Sequence, residues 1–277
     1  MRRRIAIAGA VIGTAAGITI GRTVRWWRTW GLDPAEAARS LAGDDLVPTP
    51  TAIETRGITI DAPPEAVWPW LVQMGFGRAG WYSYDRLDNR GRSVDVIRPE
   101  FQATAIGEIV PMSPDGGFEV KVVEPARAFV LFSDTELIER QAAAAAARAS
   151  ATVPAGLAAS AAFLRQTPRE FAASWAFVLE PVDGGRTRLI ERFRVRFGQA
   201  SPAFRMVGPV MGFGVFAMMQ RQMLGLAERA VRTAVAPPLP APAAVETTRE
   251  PVANRRDPIT TVIARSEPRT EVIATAS

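Results

Sequence analysis

Residues 58–85 decide the fold: they read ITIDAPPEAVWPWLVQMGFGRAGWYSYD, and PEFQ follows at 99–102. An apolar strand runs into a double proline, a tryptophan-rich helix, a glycine-spaced turn and a cluster of aromatic and acidic residues. Pro64 suits the first helical turn, where an absent N–H is no loss. Val67, Trp68, Leu71 and Val72 form the expected buried face, with a bend at Pro69. Immediately upstream, residues 53–60 alternate as a strand.

Further strands are expected at 108–110, 118–124 and 128–132, separated by Gly and Pro punctuation. The clearest strand is 171–179, with Phe171, Trp175, Phe177 and Leu179 on one face. Asp183-Gly-Gly turns it into a hairpin partner at 187–197. The last element is a helix after Pro209, over 210–235, on which Phe216, Met219, Met223, Leu226 and Ala230 recur at helical spacing.

This order resembles the START-like (SRPBCC, helix-grip) superfamily, and within it a membrane-anchored actinobacterial branch. The resemblance implies an α+β helix-grip fold, in which a curved antiparallel sheet wraps around a long C-terminal helix and leaves a cavity between them. It also implies carriers of lipids and other apolar molecules, or polyketide-cyclase-like enzymes. The domain covers 52–235, and relative to the family pattern residues 134–169 are an Ala-rich insertion, read as a mobile helical segment over a cavity mouth. Residues 236–277 are Pro- and Thr-rich with balanced charge, the composition of a disordered tail.

The N-terminus adds a different signal. Residues 5–21 are uncharged, with Arg2, Arg3 and Arg4 before them and Arg22 after. As a helix they would span about 25 Å, slightly less than the ~30 Å hydrocarbon core. Trp26, Trp27 and Trp30 follow where an interfacial aromatic belt sits. Residues 1–28 are therefore expected to be a transmembrane-like, single-pass membrane anchor of undetermined orientation. A cleaved signal peptide and a soluble docking helix are the competing readings. Residues 29–51 connect anchor to domain through a short helix capped by Asp33, as a packed segment and not a loose tether.

Composition narrows the chemistry. The chain has 277 residues, no His and no Cys, so His-bearing triads, thiolate nucleophiles and Cys/His metal sites are excluded. Lys121 is the only lysine. The net charge of +5 is concentrated in six arginines before Asp33, which leaves the rest close to neutral and argues against nucleic acid as a partner. Gly75, Gly77 and Gly80 lack the Lys-Ser/Thr ending of a phosphate loop. No cofactor and no metal are expected.

Three groups of residues carry candidate chemistry. In the first, Arg78, Trp81, Tyr84 and Asp85 form either an anion clamp, a wall, a donor and a general base, or a capped helix with Asp85 paired to Arg78. In the second, Glu100 and Gln102 extend a polar lining or a structural hydrogen-bond network. In the third, period-two geometry aims Glu191 inward and sends Arg192, Arg194 and Arg196 outward. Glu191 then either faces a cavity with a raised pKa or pairs at a sheet edge with Arg188 or Arg194. Trp175, Phe216, Met219 and Met223 complete the expected apolar lining.

Catalytic candidates are thus Asp85, Glu100, Glu191 and Tyr84. The leading expectation is a membrane-anchored module that binds a hydrophobic small molecule or lipid. A cyclase- or aromatase-like enzyme is one alternative, and a protein-interaction module with an undetermined partner is the other.

Overall fold

The computed structural model describes residues 26–88, 92–114, 116–148, 170–198 and 202–235. The expected anchor segment 5–21, the remainder of the Ala-rich insertion (149–169) and the tail 236–277 lie outside the described residues. Among the described residues, no helix is long and apolar enough to cross a membrane.

In chain order the elements are α1 (Pro34–Ala38), β1 (Ala52–Ile60), α2 (Pro64–Val72), α3 (Asp85–Asp88), β2 (Ile109–Ser113), β3 (Gly116–Glu124), β4 (Ala128–Asp134), α4 (Thr135–Arg148), β5 (Phe171–Val182), β6 (Arg186–Phe197) and α5 (Pro202–Val235). The strands form one curved, wholly antiparallel sheet in the order β1-β6-β5-β4-β3-β2. β1 and β2 are therefore the edges, and β6 and β5 lie inside. α2 and the C-terminal part of α5 cover the inner face, where Trp70, Leu71, Met219, Met223 and Leu226 meet Trp175 and Phe177 in one core.

The outer face is also closed. Alternation along β6 turns Arg188, Arg192 and Arg194 outward, and the connecting segment supplies their partners. Arg188 bonds Glu36 with Nε and Nη2 at 2.9 Å each. Arg192 reaches Asp44 at 2.7 Å and the carbonyls of Ala37 and Arg39 at 2.9 and 2.8 Å. Arg194 donates to the Val47 carbonyl. α1 is held in shape by a capping box, in which Asp33 accepts from Ala35 and Glu36 while Glu36 accepts from Asp33. The connection is packed, as its sequence led us to expect.

Four local expectations need correction. Trp70, not Trp68, is the tryptophan most deeply buried on α2, where its Nε1 donates to Thr233 Oγ1 of α5 at 2.9 Å. α5 starts at Pro202 and runs through Pro209, not from 210. Trp27 is buried against Phe216 with its carbonyl accepting from Arg56, so this tryptophan is core and not part of an exposed belt. Trp26 alone of the three stays largely exposed. The Ala-rich segment 135–148 is a helix docked on β3 and β4, with Leu137 buried and Gln141 bonded to Gly117.

α5 approaches the turn before α3 so closely that a Cβ at Gly225 would lie 2.2 Å from the Tyr82 carbonyl oxygen. Gly214, on the same helix, has open space. Gly225→Ala should therefore lose about 1–3 kcal/mol in urea unfolding, the overpacking outweighing a better helix former. Gly214→Ala should gain up to about 1 kcal/mol. Equal effects at the two positions would contradict this packing.

Candidate functional site

Glu191 lies in the middle of β6, opposite Arg56 of β1 on one side and Phe177 of β5 on the other. Its side chain faces the core and is fully buried. The Trp175 indole Nε1 donates to Oε1 at 2.6 Å, while Oε2 accepts no hydrogen bond from any described residue. Burial pushes the carboxyl up to about 7; the Arg56 charge and the Trp175 bond oppose that rise, and Glu54 adds to it. Neither Arg188 nor Arg194 pairs with it, because both point to the outer face. The edge-pairing reading of Glu191 is therefore excluded.

β1 contributes two residues that the sequence reading passed over. Arg56 is fully buried and donates to Glu54, to the Trp27 carbonyl (3.3 Å) and to the Met219 sulfur (3.0 Å). Its guanidinium also lies 5.4 Å from the Phe216 ring centroid. Their parity was the available signal: Glu54 and Arg56 alternate in step with Ile58 and Ile60, which belong to the core side.

Aromatic rings gather around Trp175, the residue that bonds the carboxylate. Trp81 and Trp175 stack with centroids 5.3 Å apart and an 18° interplanar angle. Phe118 and Phe193 meet Trp175 edge-on at 6.0 and 6.2 Å. Met223 and Met219 are buried on the α5 side. Thus Trp81, Trp175, Glu191, Phe216, Met219 and Met223 of the expected set share one interior, which is filled by their own side chains.

The remaining candidates are scattered. Tyr82 takes φ +57°, which interrupts the expected alternation and sends its ring inward. Its hydroxyl donates to the Trp70 carbonyl (3.0 Å) and accepts from Gln73 (2.9 Å), and burial raises its pKa. Tyr84 is left about half exposed at 47%. Asp85 accepts from Ser93 Oγ and does not pair with Arg78. Arg78 instead ties loops together, donating to Glu108, to the carbonyls of Val72 and Phe101, and to Thr104. Glu100 is exposed, with only Arg98 at 4.0 Å. Gln102 bonds Gln73 and the Pro69 carbonyl. The proposed Arg78–Tyr84–Asp85–Glu100 constellation is not assembled.

Two clefts lie elsewhere. One of about 830 Å³ sits between residues 40–42, the start of α2, the β3–β4 turn and the β5–β6 turn, and opens broadly to solvent. Another of about 470 Å³ lies between the end of β1 and α5. Neither is lined by an expected site residue, and among the described residues the carboxyl that burial raises towards neutrality is Glu191, inside the core. Among the described residues, no group of acidic side chains is arranged to hold a metal ion.

No family model matches the chain, and no curated protein matches it. Among solved structures it is similar to a structural-genomics protein from Mesorhizobium loti, at 18% identity and TM-score 0.32, covering 65% of this chain and 98% of that one. A hypothetical protein from Helicobacter pylori aligns at 10% identity and TM-score 0.40, over 69% and 96% of the two chains. CalU16 from Micromonospora echinospora aligns at 12% identity and TM-score 0.26, over 65% and 87%. Likenesses this distant carry no argument about function, so the reading rests on the residues themselves. They make a specific demand on pH. With its native pKa near 7 against 4.5 for the free side chain, folded Glu191 holds a proton that the unfolded chain releases. Its stabilising protonation is fully present below pH 4.5 and is lost as pH rises through 7. Glu191→Gln should therefore gain roughly 3 kcal/mol relative to the parent chain between pH 5 and pH 8, measured by urea unfolding. Parallel pH profiles for the two proteins would show a carboxylate in contact with solvent.

Proposed function

We propose that this chain is a helix-grip-type binding module, whose interior between the sheet and α5 takes a hydrophobic small molecule or lipid. The observation that carries this reading is the unbonded oxygen of Glu191 within an aromatic interior. A position serving only the core would be apolar, since a buried carboxyl with one oxygen unanswered costs on the order of 1–3 kcal/mol or more. Breaches of that kind are found where a group is kept for function. The ligand enters by displacing the Trp81–Trp175 stack instead of filling a ready-made void. Met219 and Met223 offer the adaptable wall that such repacking needs. The apolar segment 5–21 would keep the module beside a membrane, which is both partner and lipid reservoir in this reading.

A second reading is favoured by one observation. A carboxyl titrating near 7 exchanges protons at neutral pH, as a general acid or base does. In a cyclase- or aromatase-like enzyme, Glu191 would be the only such group among the described residues of the interior, with Trp175 orienting it.

The full-length protein, purified without detergent, should carry a stoichiometric apolar mass in native mass spectrometry, identifiable after organic extraction. An empty protein that also takes up no member of a lipid and polyketide panel would overturn the binding reading. Turnover separates the two functions: a carrier releases its ligand chemically unchanged, whereas an enzyme converts it and loses that turnover by about 10²-fold or more in Glu191→Gln.

A further inference from the structure

The inner faces of β1 and β6 hold three ionisable side chains, and their hydrogen bonds leave one of them unanswered. Each nitrogen of Arg56 is committed, to the Trp27 carbonyl, the Met219 sulfur and the Glu54 carboxylate. Glu54 thereby neutralises Arg56. Glu191 is a second carboxylate with no cation bonded to it, and only the neutral Trp175 N–H answers one of its oxygens. When Glu191 is ionised the three groups carry a net charge of about −1 in a buried setting, which calls for a positive complement.

The surroundings match that need. Trp175 stacks on Trp81, and Phe118 and Phe193 turn their edges or faces to Trp175 within 6.2 Å. Organic ammonium groups are attracted to the faces of such rings, most strongly to tryptophan, and donate charge-assisted hydrogen bonds to carboxylates. The faces of Trp81 and Trp175 cover each other in the stack and supply the first interaction once a guest displaces it, while the unbonded carboxylate oxygen supplies the second.

We propose that the interior site takes an apolar ligand bearing an amine, whose ammonium donates a hydrogen bond to Oε2 of Glu191 and lies against the Trp81 and Trp175 rings. This rests on the interior being a binding site and adds the head group to it. An alcohol donates a similar bond but leaves the negative charge in place. A carboxylate head group is repelled by Glu191. Arg56 and Glu54 are the charged groups that act on Glu191 from β1, while its neighbours Phe177 and Trp175 on β5 carry no charge. The order of preference is amine, then alcohol, then acid.

Titration of the full chain with octylamine, octanol and octanoate at pH 8, each kept below its micelle concentration and read by intrinsic tryptophan emission, tests this. Octylamine should bind at least about tenfold more tightly than octanol, with octanoate giving no measurable response. Glu191→Gln should bring octylamine down to the octanol value while leaving octanol unchanged. Equal affinities for octylamine and octanol in the parent chain would overturn the amine assignment and leave apolar binding standing. A preference for octylamine that survives in folded Glu191→Gln would overturn it as well, by assigning the amine to another site. No response to any of the three would overturn both readings together. Should Glu191→Gln fail to show a native circular dichroism spectrum, the selectivity of the parent chain decides alone.

Discussion

β6 is an interior strand of a sheet covered on both faces, so the charges on its two sides cannot be left to water. Alternation sends Arg188, Arg192 and Arg194 to the outer face and Glu191 to the inner one. Desolvating either set is expensive unless hydrogen bonds replace the lost water. On the outer face they do. The connecting segment lays Glu36, Asp44 and the carbonyls of Gly31, Ala37, Arg39 and Val47 over the guanidinium groups, and Arg192 is left with all its nitrogens bonded. Arginine suits this role because its planar fork reaches several acceptors at once. The segment before the sheet is thus fixed by the strand that comes almost last.

On the inner face the same accounting stays open. Arg56 and Glu54 satisfy each other, and Trp175 answers half of Glu191. Register places Arg56 directly across from Glu191, yet its nitrogens are turned towards Glu54, Trp27 and Met219 and do not close the gap. α5 enters the arrangement twice, through the Met219 sulfur and through the Phe216 ring beneath the guanidinium. The helix that closes the core is therefore also the helix that holds Arg56 away from the carboxylate.

Much of the fold was legible in the sequence because period-two alternation is strong in β5 and β6 and helical spacing is strong in α5. The inward direction of Glu191 followed from Leu189, Phe193 and Val195 alone. What alternation could not supply was pairing. Which residue of β1 faces Glu191 depends on register across strands some 130 residues apart in the chain, so Arg56 and Glu54 were invisible as partners. The Tyr84–Asp85 cluster failed for another reason. A positive φ at Tyr82 is a local backbone choice that no neighbouring residue type announces, and it moves Tyr84 out to solvent. Proline misled as well, since Pro209 was read as a helix start and lies within α5.

The scatter of the other carboxylates restricts what chemistry the interior can host. Asp85 is bonded to Ser93 at the start of α3, and Glu100 stands exposed beside Arg98. Neither shares the aromatic interior, and the second carboxylate on that face, Glu54, is held by Arg56, so among the described residues none is free to divide the acid and base roles with Glu191. Tyr82 is buried near Trp70 and has its hydroxyl fully engaged, with a pKa raised further from neutrality. Among the described residues, that leaves Glu191 as the interior carboxyl that burial raises towards neutrality. A binding role asks less of the same atoms: one charge, one free oxygen and ring faces that yield to a guest. On that count the proposed recognition of a charged head group asks less of the residues gathered under this sheet than multistep chemistry would.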